Sequence, residues 1–101
     1  MRQVREGRQL QGVDEKIIYS VDTTPWGTGA ISNITVKVKD VTDNFTDVTA
    51  TVTTGAASEA SGVITLPKIV SLTQGHLYRV EIQYDQNNNT RECWFEIHAE
   101  M

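Results

Sequence analysis

Apolar and polar residues alternate along most of this chain, and no stretch repeats its apolar residues at helical spacing. A strand points successive side chains to opposite faces, so each alternating run predicts a strand with one buried face. ISNITVKVKD, residues 31–40, sets Ile34, Val36 and Val38 on one face and Thr35, Lys37 and Lys39 on the other. DVTATVTT, residues 47–54, sets Val48, Ala50 and Val52 inward against Thr49, Thr51 and Thr53. LYRVEIQY, residues 77–84, turns Tyr78, Val80, Ile82 and Tyr84 inward. RECWFEIHA, residues 91–99, turns Cys93, Phe95, Ile97 and Ala99 inward and Glu92, Trp94, Glu96 and His98 outward. With two less regular segments, 17–21 and 63–66, the chain is expected to form about seven strands.

The separators DTTPWGTG, DVTDNFTD, TGAASEASG, LPKIVSLTQG and DQNNNT are rich in residues with a turn mechanism. Short strands at this spacing predict an all-β sandwich or barrel. The last two runs also predict a register. A loop over residues 85–90 pairs Tyr84 with Arg91, Ile82 with Cys93, Val80 with Phe95 and Tyr78 with Ile97. It also places Arg79 opposite Glu96 on the outer face. A slip by one residue would undo both patterns at once.

LTQGHLYRVEIQYD, residues 72–85, opens the first strand of this hairpin. Leu72, Gly75, Tyr78 and Val80 stand at the spacing Leu-x-x-Gly-x-x-Tyr-x-Val, which resembles the tyrosine corner of fibronectin type III domains. In such a corner Leu72 plugs the core, Gly75 supplies a positive φ, and Tyr78 bonds its hydroxyl to backbone a few residues upstream. The resemblance implies an immunoglobulin-like sandwich and a structural role for this tyrosine. A wider likeness spans most of residues 15–100. Val21-Asp22, Trp26, Thr35-Val36, Asp47-Val48-Thr49, Thr65-Leu66-Pro67, the corner, and an acidic finish over 96–100 follow one another in order. This order resembles small phage and prophage virion proteins of immunoglobulin-like fold, described as fibre–tail adaptors. It implies a structural part of a particle, with other protein subunits as partners and no chemistry.

Composition narrows the classes. The chain has 101 residues, enough for one domain over 15–101 behind a polar leader, 1–14, expected to be loose or paired along an edge. A net charge of −4 lacks the basic stripe that nucleic acid requires; Arg2, Arg5 and Arg8 are interrupted by Glu6. No run approaches the roughly 20 apolar residues of a membrane span, and no signal peptide is visible. The resemblance then implies the virion or the cytoplasm of the producing cell as the expected location. Cys93 is the single cysteine, which leaves no internal disulfide. Asn-x-Thr triplets begin at Asn33, Asn44 and Asn88, and without a signal peptide they carry little weight as glycosylation sites.

The candidate chemistry is thin. Asp40, Asp43 and Asp47 flank one loop and are the calcium candidates, although their spacing is not that of an EF-hand and Asp is also a common turn residue. Asp22 is expected to cap a turn. His76 and His98 are placed to meet across the final hairpin but have no evident third ligand for zinc. Cys93 is expected in the core, away from the electropositive setting of a nucleophile. Trp94, outward between Glu92 and Glu96, and Trp26, in a loop, are the candidates for partner contact. The expectation is a non-enzymatic structural or adaptor module without a cofactor, able to form oligomers. The alternative is a β-sandwich that binds carbohydrate or a protein ligand through its loop and surface aromatics.

Overall fold

The computed structural model describes residues 2–4 and 7–100, and these form mostly β-structure. The strands β1 (Arg2–Gln3), β2 (Gln9–Gly12), β3 (Ser20–Asp22), β4 (Ile31–Asp40) and β5 (Thr46–Asp47) precede a short helix, α1 (Thr49–Val52). β6 (Thr53–Thr54), β7 (Ser58–Ala60), β8 (Val63–Thr65), β9 (Lys68–Ile69), β10 (Leu77–Gln86) and β11 (Asn89–Glu100) follow. The largest sheet has six strands in the order β1-β11-β10-β4-β5, with β2 also paired to β11. Within it, β10 is antiparallel to both neighbours, whereas β1 and β2 run parallel to β11. A three-stranded sheet, β3-β8-β7, and the pair β6-β9 complete the set.

The inward faces of these sheets share one core. Val38, Val80, Ile82, Tyr84, Cys93, Phe95 and Ile97 come from the large sheet. Val21, Ile64, Leu66 and Ile69 come from the opposite side. Fully burying one such side chain stabilises the fold by about 1.5–3 kcal/mol. The alternation in β10 and β11 thus has its energetic cause in this core. Its register pairs Tyr84 with Arg91, Ile82 with Cys93, Val80 with Phe95, Tyr78 with Ile97, and Arg79 with Glu96.

Two local expectations are corrected. The segment 85–90 is not a six-residue loop. The ladder continues to Gln86 and Asn89, and only Asn87 and Asn88 turn, with φ of 52° and 63°. Positive φ at both central residues matches the twist of a two-residue hairpin, and asparagine tolerates it. The second correction falls on 47–54, where the alternating run does not form a strand. Asp47 Oδ1 accepts the Thr49 amide at 3.0 Å and the Thr49 hydroxyl at 2.6 Å, which starts α1. Val52 is buried, and Ala50, expected inward, is exposed. Residues four apart share a helix face, so Val48 and Val52 can both turn inward while Ala50 turns out. The apolar spacing V-x-x-x-V fits either period, and the chain turns here as it leaves the large sheet for the small ones.

The expected segment 17–21 also contracts. Ile17 makes an isolated bridge to Ile69, and regular pairing begins only at Ser20. The leader docks along the sheet through β1 and β2. Gln11, fully buried, ties it down: its amide donates to the carbonyls of Glu15 and Ile69, and its oxygen accepts from the Tyr19 hydroxyl at 2.9 Å. Arg5 and Glu6, part of the basic cluster of the sequence, lie outside the described residues.

Candidate functional site

The segment that enters β10 is held from within. The Thr73 amide donates to the Tyr78 hydroxyl at 2.7 Å, five residues upstream of the ring. Leu72 is buried in the core and Gly75 has a φ of 83°. No atom lies within 4 Å of a Cβ built on Gly75, so backbone conformation rather than space calls for glycine there. Tyr78 itself is 2% exposed. Its hydroxyl is occupied by backbone and its ring by core, an arrangement that fixes a crossing segment.

The loop carboxylates are likewise occupied by the protein's own donors. Asp40 accepts the Asp43 amide at 3.2 Å and faces His76 Nδ1 at 2.7 Å. Asp47 bonds Thr49, the first residue of α1, and the Thr49 hydroxyl, the Thr49 amide, and Lys37 and Lys39 together hold its carboxyl below the usual range. Asp22 Oδ1 accepts both the hydroxyl and the amide of Thr24, which lowers its pKa and opens the 3-10 turn Thr24–Trp26. Asp85, bonded by Asn33 and Thr90, is lowered in the same way. Among the described residues, no group of three or more His, Cys, Asp or Glu side chains converges where it could hold a metal ion. Asp40, Asp43 and Asp47 are therefore not gathered into a calcium cage. His98 lies opposite Leu77 in the ladder, whereas His76 turns to Asp40.

Cys93 is fully buried on the inward face of β11. Asn33, Asn44 and Asn88, the heads of the three Asn-x-Thr triplets, all adopt positive φ. Asparagine is one of the few residues that enters this region readily, so local geometry accounts for it at these turns and bulges.

The outer face of the large sheet is charged and partly covered. The Arg79 guanidinium lies 4.2 Å from the Trp94 ring centroid, a cation–π stack, and its Nε faces Glu81 at 3.2 Å. Lys39 joins Glu81 at 3.5 Å, and Arg8 of the leader reaches Glu96 at 3.2 Å. Trp94 is thus half-buried beneath an arginine, and its carbonyl accepts the Val4 amide from the leader. One face of the indole is already stacked.

Trp26 sits elsewhere. The 3-10 turn carries it to a groove of about 580 Å³ between the leader and β3, lined also by Val4, Tyr19, Val21 and Phe95. Tyr19 and Phe95 pack with ring centroids 5.5 Å apart. Burial, with Glu15 adding to it, pushes the Tyr19 hydroxyl up to about 12. Tyr19 and Phe45 are the residues that alternation did not single out. Phe45 is 51% exposed at the tip of the β4–β5 loop with a φ of 59°, an unusual backbone for an aromatic residue. Neither is legible in the sequence, because the first depends on the leader's path and the second on the turn type.

Several strand edges have no partner strand among the described residues, β7 at the far side of the small sheet included; those of β4 and β3 are compared here. β4 meets β5 only at Lys39 and Asp40, which leaves the other side of 31–37 without a strand. That edge is blunted by a bulge: Ser32 and Thr35 face Asp85 and Gln83, so one extra residue stands on β4, beside Asn33 at φ 52°. β3 ends the small sheet and is not bulged. Among the described residues, no helix is long and apolar enough to cross a membrane. Compared with known proteins, the chain matches no family model and no curated protein.

Proposed function

We propose that this chain is an immunoglobulin-like β-sandwich that works as a non-enzymatic structural or adaptor module, a component of a phage or prophage particle acting through protein–protein contacts. The strand order supports the fold reading. In this reading β4, β10 and β11 would correspond to strands C, F and G, and β3, β8 and β7 to B, E and D. The Tyr78–Thr73 bond supports it too, because it resembles the contact of a tyrosine corner.

The observation that carries the functional reading is the strand edges of β3 and β4 that have no partner strand among the described residues, on a chain several of whose polar side chains are bonded to its own backbone. Asp22, Asp47 and Tyr78 are all engaged in this way. A strand edge is a row of backbone donors and acceptors ready to pair with another chain. The carbohydrate reading rests on Trp26 in the groove, but the neighbouring Tyr19 packs its ring on Phe95 and gives its hydroxyl to Gln11, so it offers a sugar no free stacking face.

The test is co-expression of the tagged chain with the products of its neighbouring genes, followed by affinity purification and light scattering over a range of concentrations. A complex of fixed stoichiometry with a portal, capsid or tail protein is the expected result. A monomer at all concentrations that retains none of them, or a gene set within a polysaccharide locus, would sink the adaptor reading.

A further inference from the structure

β3 pairs with β8 through one set of backbone groups and turns the other set away. The Leu66 amide donates to the Tyr19 carbonyl, and the Thr23 amide donates to the Gly62 carbonyl. Val21 lies opposite Ile64 between these two bonds. An antiparallel ladder uses alternate residues, so the N–H and C=O of Ser20 and Asp22 face away from β8. In many sandwiches a first strand covers this edge. Here β1 and β2 run along β11 on the other sheet instead. Ser20, Val21 and Asp22 are consecutive, and all three line the 580 Å³ groove. The outward backbone groups of Ser20 and Asp22 thus border the groove beside the half-buried Tyr19 and Trp26, with Val21 and Phe95 buried beneath.

Charge says more about the occupant. Asp22 is the one charged residue among the described residues lining the groove, and it sits at the Trp26 end, where Thr24 holds it ionised. We infer that this groove takes an extended segment of a partner protein as an added strand beside β3, with apolar residues at alternate positions and a lysine or arginine next to Asp22. Main-chain pairing to Ser20 and Asp22 supplies the affinity. The half-buried Trp26 and the outer edge of Tyr19 contact every second side chain, and Asp22 sets the direction. This rests on the adaptor reading above and names the edge that performs it. The bulged edge of β4 is the rejected one.

The test uses the intact chain, isotopically labelled, and acetyl-Lys-Thr-x-Thr-x-Thr-amide peptides in which x is Val, Leu, Ile or Phe. At least one peptide is expected to saturate, shifting the Ser20 and Asp22 amides and the Trp26 indole and slowing exchange of both amides with solvent at least tenfold. N-methylation of the peptide at one alternating set of amides is expected to abolish binding, and at the other set to leave it intact. Ser20→Pro removes a donor that faces the groove and no bond to β8, so binding should fall at least tenfold with the melting point retained. Replacing the peptide lysine by glutamate should weaken binding several-fold, and Asp22→Asn should erase that difference.

The inference is overturned if no peptide in the panel saturates, if both methylation patterns are equally harmful, or if the shifts fall on β4. Self-association without peptide that Ser20→Pro abolishes would make a second copy the occupant, and also overturns it. A natural partner that still binds the Ser20→Pro chain defeats this inference and leaves the adaptor reading standing. The absence of any protein partner defeats the adaptor reading itself.

Discussion

Two stretches of this chain alternate apolar and polar residues equally well, and only one of them forms strands. The β10–β11 hairpin carries its alternation through a complete ladder, with Tyr78, Val80, Ile82, Cys93, Phe95 and Ile97 all buried. Residues 47–54 carry the same pattern and fold as a helical turn between two strands of only two residues each. The difference lies in what each backbone meets. β10 has a partner on both sides for nearly its whole length. At 48–49 the chain meets only the end of β4, where the Val38 amide donates to the Thr49 hydroxyl at 2.8 Å and the Val48 amide donates to the Val38 carbonyl at 2.9 Å. The threonine side chain stands in for a strand's next backbone acceptor and ends the ladder. Alternation specifies a strand when a neighbouring strand is present to pair with it. Without one, a local side-chain acceptor such as Asp47 decides.

This contrast can be broken at either end. Ile82→Ala empties a fully packed site in the hairpin and is expected to cost about 2–5 kcal/mol, whereas Ala50→Ser, on the outward side of α1, should stay within about 0.5 kcal/mol. Chemical denaturation of both variants checks the pair, and equal losses would mean that residue 50 faces the core as in a strand. Tyr78→Phe strands the Thr73 amide and should cost about 1 kcal/mol or more; a neutral result would falsify the corner's role as a fastening. Thr49→Val removes the acceptor for the Val38 amide and the contacts to Asp47, and about 1 kcal/mol of destabilisation is expected, with faster amide exchange at Val38.

The smallest effects are in the pH dependence. Asp22, Asp47 and Asp85 all have folded-state pKa values held below their unfolded ones. Each therefore adds stability that is present above the unfolded carboxylate pKa of about 3.9 and is lost as pH falls through the lower folded value. Melting followed from pH 5 downward should show this decline, and Asp47→Asn should make it shallower. An identical acid limb in that variant would mean that Asp47 is not bonded to Thr49 in solution. Tyr19 behaves in the opposite sense: its folded pKa is raised to about 12, so its contribution is complete below the unfolded value of about 10 and is lost as pH rises towards 12. Tyrosinate absorbance should report this residue titrating late, and Tyr19→Phe should remove that step.

Much of the hairpin was legible because one buried face, a two-sided neighbourhood and a fixed period leave a single register. The corner was legible for a related reason: Leu72, Gly75 and Tyr78 each do a local task at a fixed offset. The candidate contact residues were less so. Trp94 was placed on the outer face by its parity, yet its burial depends on Arg79, and on the leader, whose course no periodicity marks. Trp26 was named, but the groove around it arises from the leader, β3 and β11, which are far apart in sequence.

The amino-acid sequence by itself determined the β-rich class, the faces and register of the last two strands, and the residues that fasten the corner, since these follow from side-chain period and local turn chemistry. Only the tertiary structure decided that residues 49–52 would coil, that β1 and β2 of the leader would lie parallel to β11, and that β3 would have no strand on its outer edge among the described residues, beside an aromatic groove. Each of these depends on which backbone groups find partners across long sequence separations. That competition is settled by the packing of the whole chain, and no local pattern of residues encodes its outcome.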